Sequence, residues 1–112
     1  MNTITVTNKD KKTSTFEWRL IKKDEEMLLS QAESLCTEGG WEVANKEHLE
    51  AFKPHCPEEE KNNPIVAIGP TYGVGMNDPW FLKEGDIVFT KMQYWVAPLG
   101  PQCRYLSVRK VA

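Results

Sequence analysis

Most of the reactive chemistry open to this chain sits on Cys36, Cys56, Cys103, His48 and His55. A thiol nucleophile needs an imidazole or another base within reach. His55 and Cys56 are adjacent, so their side chains diverge in most backbone conformations, and His48 stands a helix away. A zinc site would need further ligands at a zinc-site spacing, and none stands there. Asn77, Asp78, Glu84 and Asp86 offer oxygens, but calcium takes about six to eight of them. Asn and Asp in such stretches also serve ordinary turns. Gly69-Pro70-Thr71-Tyr72-Gly73-Val74-Gly75 is glycine-rich, yet it lacks the lysine and the following helix that a phosphate loop requires. No GxSxG, HExxH or GxGxxG pattern is present. The expectation is a protein without cofactor or metal that is not an enzyme.

Aromatic residues beside turns remain: Trp41, Tyr72, Trp80, Tyr94 and Trp95. Trp80 and Trp95 read as core packing or, if one face is exposed, as platforms for a ligand. Tyr72 lies among glycines with few apolar neighbours and reads as an exposed anchor, since Tyr and Trp are enriched where partners bind most tightly. The candidate binding residues are therefore Tyr72, Asn77, Asp78, Trp80 and Trp95.

Those side chains need elements to hold them. Thr3–Thr7 alternates and is rich in β-branched residues, which predicts a strand. Residues 13–21 alternate again, with Phe16, Trp18 and Leu20 on one face and Thr15, Glu17 and Arg19 on the other. Together they predict a hairpin with one buried face. Ser30 and Glu33 form a capping-box pattern for a short helix near residues 31–38, ended by Gly39-Gly40; a start at Asp24 is the alternative. Asn45 caps a second helix, Lys46 to Phe52, which Pro54 ends. Pro54 to Asn63, with Glu58-Glu59-Glu60, reads as an exposed loop. The apolar run 64–69 predicts a central buried strand. Residues 70–79 form a long irregular loop. Trp80–Leu82 and Ile87–Thr90 flank Lys83-Glu84-Gly85-Asp86 as a second hairpin. Gln93–Val96 and Cys103–Arg109 are the remaining strands. This order predicts one α+β domain over residues 1–112 with paired terminal strands.

Composition bounds the rest. The chain has 112 residues, 40% hydrophobic and 27% charged, with 14 basic and 16 acidic side chains for a formal charge of -2. That argues against a non-specific nucleic-acid binder, which needs a basic surface. No apolar run approaches the ~20 residues of a membrane span, and the first residues lack a secretory pattern. An odd number of cysteines without a CxxC pair fits free thiols in the cytoplasm. Cys36 reads as a small buried hydrophobe, and a Cys36–Cys103 disulfide would require export. The exposed edge strand Thr3–Thr7 leaves a homodimer open beside a monomer.

Ser30-Gln31-Ala32-Glu33-Ser34-Leu35-Cys36 followed by Gly39-Gly40 resembles the first helix of C-type lectin-like domains. Val43-Ala44-Asn45-Lys46-Glu47-His48-Leu49 resembles the segment that follows it there. Ile65-Val66-Ala67-Ile68-Gly69, Trp80-Phe81-Leu82 with Gly85-Asp86, and Tyr94-Trp95 with Pro98 are similar to that fold's hydrophobic strand, tryptophan-rich strand and pre-loop tryptophan. Gly39-Gly40-Trp41-Glu42-Val43-Ala44-Asn45 and Val108-Arg109 also resemble bacterial domains allied to the formylglycine-generating enzyme family. The resemblance spans about residues 13–111. It implies a C-type lectin-like α+β fold: two short helices on a small, mostly antiparallel sheet with a long loop region. The calcium-binding triplets of sugar-binding C-type lectins are absent, and Asn77-Asp78 precedes the tryptophan strand where the family's pair follows it. The expected function is a non-catalytic module that binds a protein through loops 70–79 and 98–102, of the kind a phage or mobile element carries. Carbohydrate binding, with Trp80, Trp95 or Tyr72 as a stacking platform, is the alternative. A small metal-dependent or thiol enzyme using Cys56 and His48 is the third reading. Fold alone does not choose between them.

Overall fold

The computed structural model describes residues 2–7, 10–69, 79–89 and 99–111. The elements are β1 (Thr3–Thr7), β2 (Thr13–Lys22), α1 (Leu29–Cys36), β3 (Glu42–Val43), α2 (Lys46–Phe52), β4 (Ile65–Ala67), β5 (Trp80–Lys83), β6 (Asp86–Phe89) and β7 (Arg104–Lys110). Short 3-10 turns occupy Glu38–Gly40, Lys53–His55 and Glu58–Glu60. The fold is α+β, one seven-stranded sheet in the order β1-β2-β7-β4-β5-β6, with β3 also paired to β7. Among the described residues every pairing is antiparallel except β4 with β7.

β7 is the spine. It pairs along its whole length with β2, from Phe16 opposite Lys110 to Lys22 opposite Arg104. On its other side it meets β4 at Ile65–Arg104 and Val66–Tyr105, then β3 at Val43–Ser107 and Glu42–Val108. Where β4 leaves β7, the Gly69 N–H donates to the Ala44 carbonyl at 2.7 Å. A Cβ on Gly69 would stand 2.7 Å from that same oxygen, so only glycine permits this approach. The β5–β6 hairpin turns through Glu84 and Gly85, both at positive φ, the two-residue geometry that matches strand twist.

The helices cover opposite faces. Leu49 and Phe52 of α2 pack with Ile4, Trp18, Ile65, Ala67, Leu82, Leu106 and Val108. The Trp18 and Phe52 rings meet edge to face, centroids 4.7 Å apart. Ala32 and Cys36 of α1 pack with Met27, Val66, Ile68, Leu99, Cys103 and Tyr105. Ile65 and Ala67 thus face α2 while Val66 and Ile68 face α1, which is why that segment reads as a continuous apolar run. Full burial of a side chain such as Leu49 or Phe52 contributes roughly 2 kcal/mol.

The N-terminal hairpin buries the Ile4 and Trp18 face, and on the other face of β2 Arg19 Nη2 donates to the carbonyls of Leu35 and Glu38 at 3.3 and 3.1 Å. Several expectations need correction. The terminal strands do not pair directly, because β2 lies between β1 and β7. Helix α1 starts neither at Ser30 nor at Asp24. Its cap is Leu28, whose N–H donates to Gln31 Oε1 at 2.9 Å. The entry is fixed by a reciprocal bridge: Met27 N–H to the Leu99 carbonyl at 3.0 Å and Leu99 N–H to the Met27 carbonyl at 2.7 Å. Helix α2 follows its local signals from Asn45 to Phe52. Residues 90–98, with the expected strand Gln93–Val96, lie outside the described residues.

Candidate functional site

Ala67 stands opposite Trp80, and Trp80 opposite Phe89. This single rung closes one end of the β4-β5-β6 part of the sheet. Segment 70–78 leaves just beyond Ala67 and returns through the buried Pro79 to Trp80. Segment 90–98 leaves directly after Phe89 and returns at the bridged Leu99. Both segments that carry most of the sequence-predicted binding residues therefore spring from the same rung. Tyr72, Asn77, Asp78 and Trp95 lie outside the described residues, as do Tyr94, most of loop 70–79 and Pro98.

Trp80 is the described member of the set. It is half-buried and packs against the core on the α2 face. The Lys46 ammonium lies 4.7 Å from its ring centroid. A cation in that position is attracted by the ring's negative face, and it occupies space that a stacked sugar would need. In the second expected loop, Leu99 is buried, and the Cys103 N–H donates to the Gly100 carbonyl at 3.1 Å. Pro101 and Gln102 are exposed. They precede Arg104, which faces Ile65 at the start of β4, whereas Trp80 faces Ala67 at its end.

The thiol and imidazole groups do not converge on a nucleophile. His48 is buried in the first turn of α2, where its Nδ1 accepts the Asn45 N–H at 3.0 Å and its own N–H donates to Asn45 Oδ1 at 3.0 Å. Its ring meets Phe16 edge on, with centroids 4.5 Å apart. Burial holds its pKa below the ordinary value, so it serves the helix cap as a neutral imidazole. Cys56 is half-buried, and its thiol points to the Pro57 carbonyl at 3.7 Å. Burial and then the Glu60 charge push that thiol up, away from the reactive thiolate. Burial pushes Cys36 up to about 12, and all three thiols are free. Among the described residues no three of His, Cys, Asp and Glu are grouped as a metal ion would need.

Other groupings were not expected from sequence. Residues 54–63 do not form a purely solvated loop. Glu60 Oε2 accepts from Arg104 Nε at 2.8 Å and from Asn63 Nδ2 at 3.0 Å, and Arg104 Nη1 donates to the carbonyls of Gln102 and Cys103. The only sequence cue was an arginine inside the apolar β7 run. A cleft of about 410 Å³ opens beside this pair, with Cys56, Glu60, Ile65 and Leu82 among its lining residues and Lys53 and Lys61 beside them. Trp41, half-buried, carries the guanidinium carbons of Arg19 and Arg109 at 4.4 and 4.6 Å from its ring. Arg109 also pairs with Glu17 at 3.1 Å. The charges near Trp41 are thus spent within the fold.

No protein-family model, curated protein or solved structure matches this chain. Among the described residues no helix is long and apolar enough to cross a membrane.

Proposed function

We propose that the chain is a C-type lectin-like domain acting as a non-catalytic binding module, which recognises a protein partner through residues 70–79 and 98–102. The observation that supports this reading is the short β4: residues 70–78 follow its Ala67 end, opposite Trp80, and Leu99–Gln102 lead into Arg104 opposite its Ile65 end. Loops positioned by a rigid sheet are the usual site of recognition. β4 is three residues long, so only ~7 Å of strand separates its two ends. The element order, a hairpin, two helices on either side of the short β3, a buried strand, a second hairpin and a closing strand, is compatible with the resemblance. The charge of -2 favours neither nucleic acid nor a strongly acidic target. The Lys46 ammonium over Trp80 weighs against the sugar-stacking alternative.

The test begins with affinity capture from lysate by the tagged protein, wild type beside Tyr72→Ala, each with and without chelator. The captured protein is then purified, and hydrogen exchange is measured on the complex. The expected result is one dominant protein, retained in chelator, lost with Tyr72→Ala at an unchanged melting temperature, and protecting residues 70–79 and 98–102. Protection elsewhere would overturn the assignment of the surface. Glycan-bearing material released by chelator would replace it with the carbohydrate reading.

A further inference from the structure

β1 ends the sheet, and among the described residues it pairs with β2 alone. The direction of its backbone groups follows from one hydrogen bond. The Trp18 N–H donates to the Asn2 carbonyl at 3.0 Å, so in the register that places Thr3 opposite Glu17 and Thr5 opposite Thr15, the residues bonded to β2 are Asn2, Ile4 and Val6. In an antiparallel ladder these alternate with residues whose N–H and C=O point the other way. Thr3, Thr5 and Thr7 therefore direct their backbone donors and acceptors outward, along the free edge.

That edge is complementary to itself. Laid antiparallel on a second copy with Thr5 at the dyad, β1 places Thr5 opposite Thr5, Thr3 opposite Thr7 and Ile4 opposite Val6. Each of the Thr–Thr pairs is then of the kind that exchanges both hydrogen bonds. Ile4 and Val6 meet on the side of the α2 core, where Ile4 is already buried, and the threonines line the other side. The strand TITVT carries no charge and no proline. No like charges face each other across the dyad, and the described residues of β1 carry no charge, proline or bulge that would protect the edge. The pairing is isologous, so it closes at two copies. Two five-residue strands bury less than a standard interface, and such contacts dissociate readily.

The geometry points to β1 as a homodimer edge: two copies of this chain pair their Thr3–Thr7 strands antiparallel about Thr5, joining two sheets into one. This goes beyond the binding reading and is independent of it.

The test is sedimentation equilibrium of the full chain from low micromolar to near-millimolar concentration, with hydrogen exchange on the same samples. The Thr5 N–H makes no bond to β2, so Thr5→Pro removes an edge donor without breaking the intrachain ladder. Thr5→Lys opposes two ammonium groups at the dyad and covers the case in which the proline variant fails to fold. Val88→Lys, on β6 at the other edge, is the control. The expected wild type is a dimer that dissociates on dilution. Both Thr5 variants raise its dissociation constant at least about tenfold, a readily resolved change, and Val88→Lys leaves it unaltered. Amides of Thr3, Thr5 and Thr7 become protected only at concentrations where the dimer forms, while those of Ile4 and Val6 are protected throughout. A wild type monomeric at the highest concentration, a dimer that survives both Thr5 changes, or one lost with Val88→Lys would each overturn the assignment.

Discussion

Arg104 Nε stands 2.8 Å from Glu60 Oε2, with only 8% and 18% of the two side chains exposed. This pair ties the polar stretch after α2 to the first residue of the sheet's central strand. Removing one member of a buried pair leaves the other charge without its partner. Glu60→Ala is expected to lower unfolding free energy by about 2 kcal/mol, toward the low side because the Gln102 and Cys103 carbonyls still accept from Arg104. The double change Glu60→Leu with Arg104→Met should cost less than Glu60→Ala alone. Urea denaturation of the variants measures both, and a double variant less stable than Glu60→Ala would refute the coupling.

Tyr105 is 1% exposed, and among the described residues its hydroxyl has no hydrogen-bond partner. Burial pushes its pKa up to about 12. An orphaned buried hydroxyl costs about 1–3 kcal/mol. Tyr105→Phe keeps the ring and removes that cost, so the variant should be as stable as the wild type or more so in urea denaturation. A clear loss of stability would mean that the hydroxyl is satisfied after all.

His48 gives the fold a pH dependence of defined sign. Its folded-state pKa lies below the unfolded value of about 6.5. As pH falls through that value the unfolded chain takes up the proton first, so stability drops toward the lower, folded pKa. Above it both states hold a neutral imidazole and this dependence vanishes. His48→Gln keeps a side chain able to reach back to the Asn45 N–H while removing the titration. The stability difference between mildly acidic and mildly alkaline buffer should shrink in the variant; an unchanged difference would assign the effect to other groups.

The thiols should separate by accessibility. Cys36 and Cys103 are buried at 0% and 5% exposure, whereas Cys56 borders a cleft. Brief alkylation of the native protein followed by peptide mass spectrometry should modify Cys56 first. Early modification of Cys36 would show that α1 opens readily.

The parts legible in the sequence are those written locally. β2, α2 with its Asn45 cap, the apolar β4 run and the two-residue turn at Glu84-Gly85 each carry their signal within a few residues. The start of α1 does not. Ser30 and Glu33 have the capping spacing, but the backbone entering the helix is held by Leu99 from far along the chain, which moves the cap to Leu28. Glu60 shows the same limit. Within Glu58-Glu59-Glu60 its residue type is that of a solvated loop, and only the arrival of Arg104 makes it part of the interior. Of the candidate site, the sequence marked Trp80 but not Lys46 over its ring, because that contact joins α2 to β5. The remaining site residues lie outside the described residues.

The position of β7 has a consequence for folding. β7 follows both β2 and β4 in the sequence yet stands between them in the sheet, so the two parts of the sheet join only through it. The N-terminal hairpin and the β4–β6 meander emerge as separate, incomplete pieces with their apolar faces uncovered. They join only through Arg104–Lys110, and long-range pairings of this kind are the slow ones in folding.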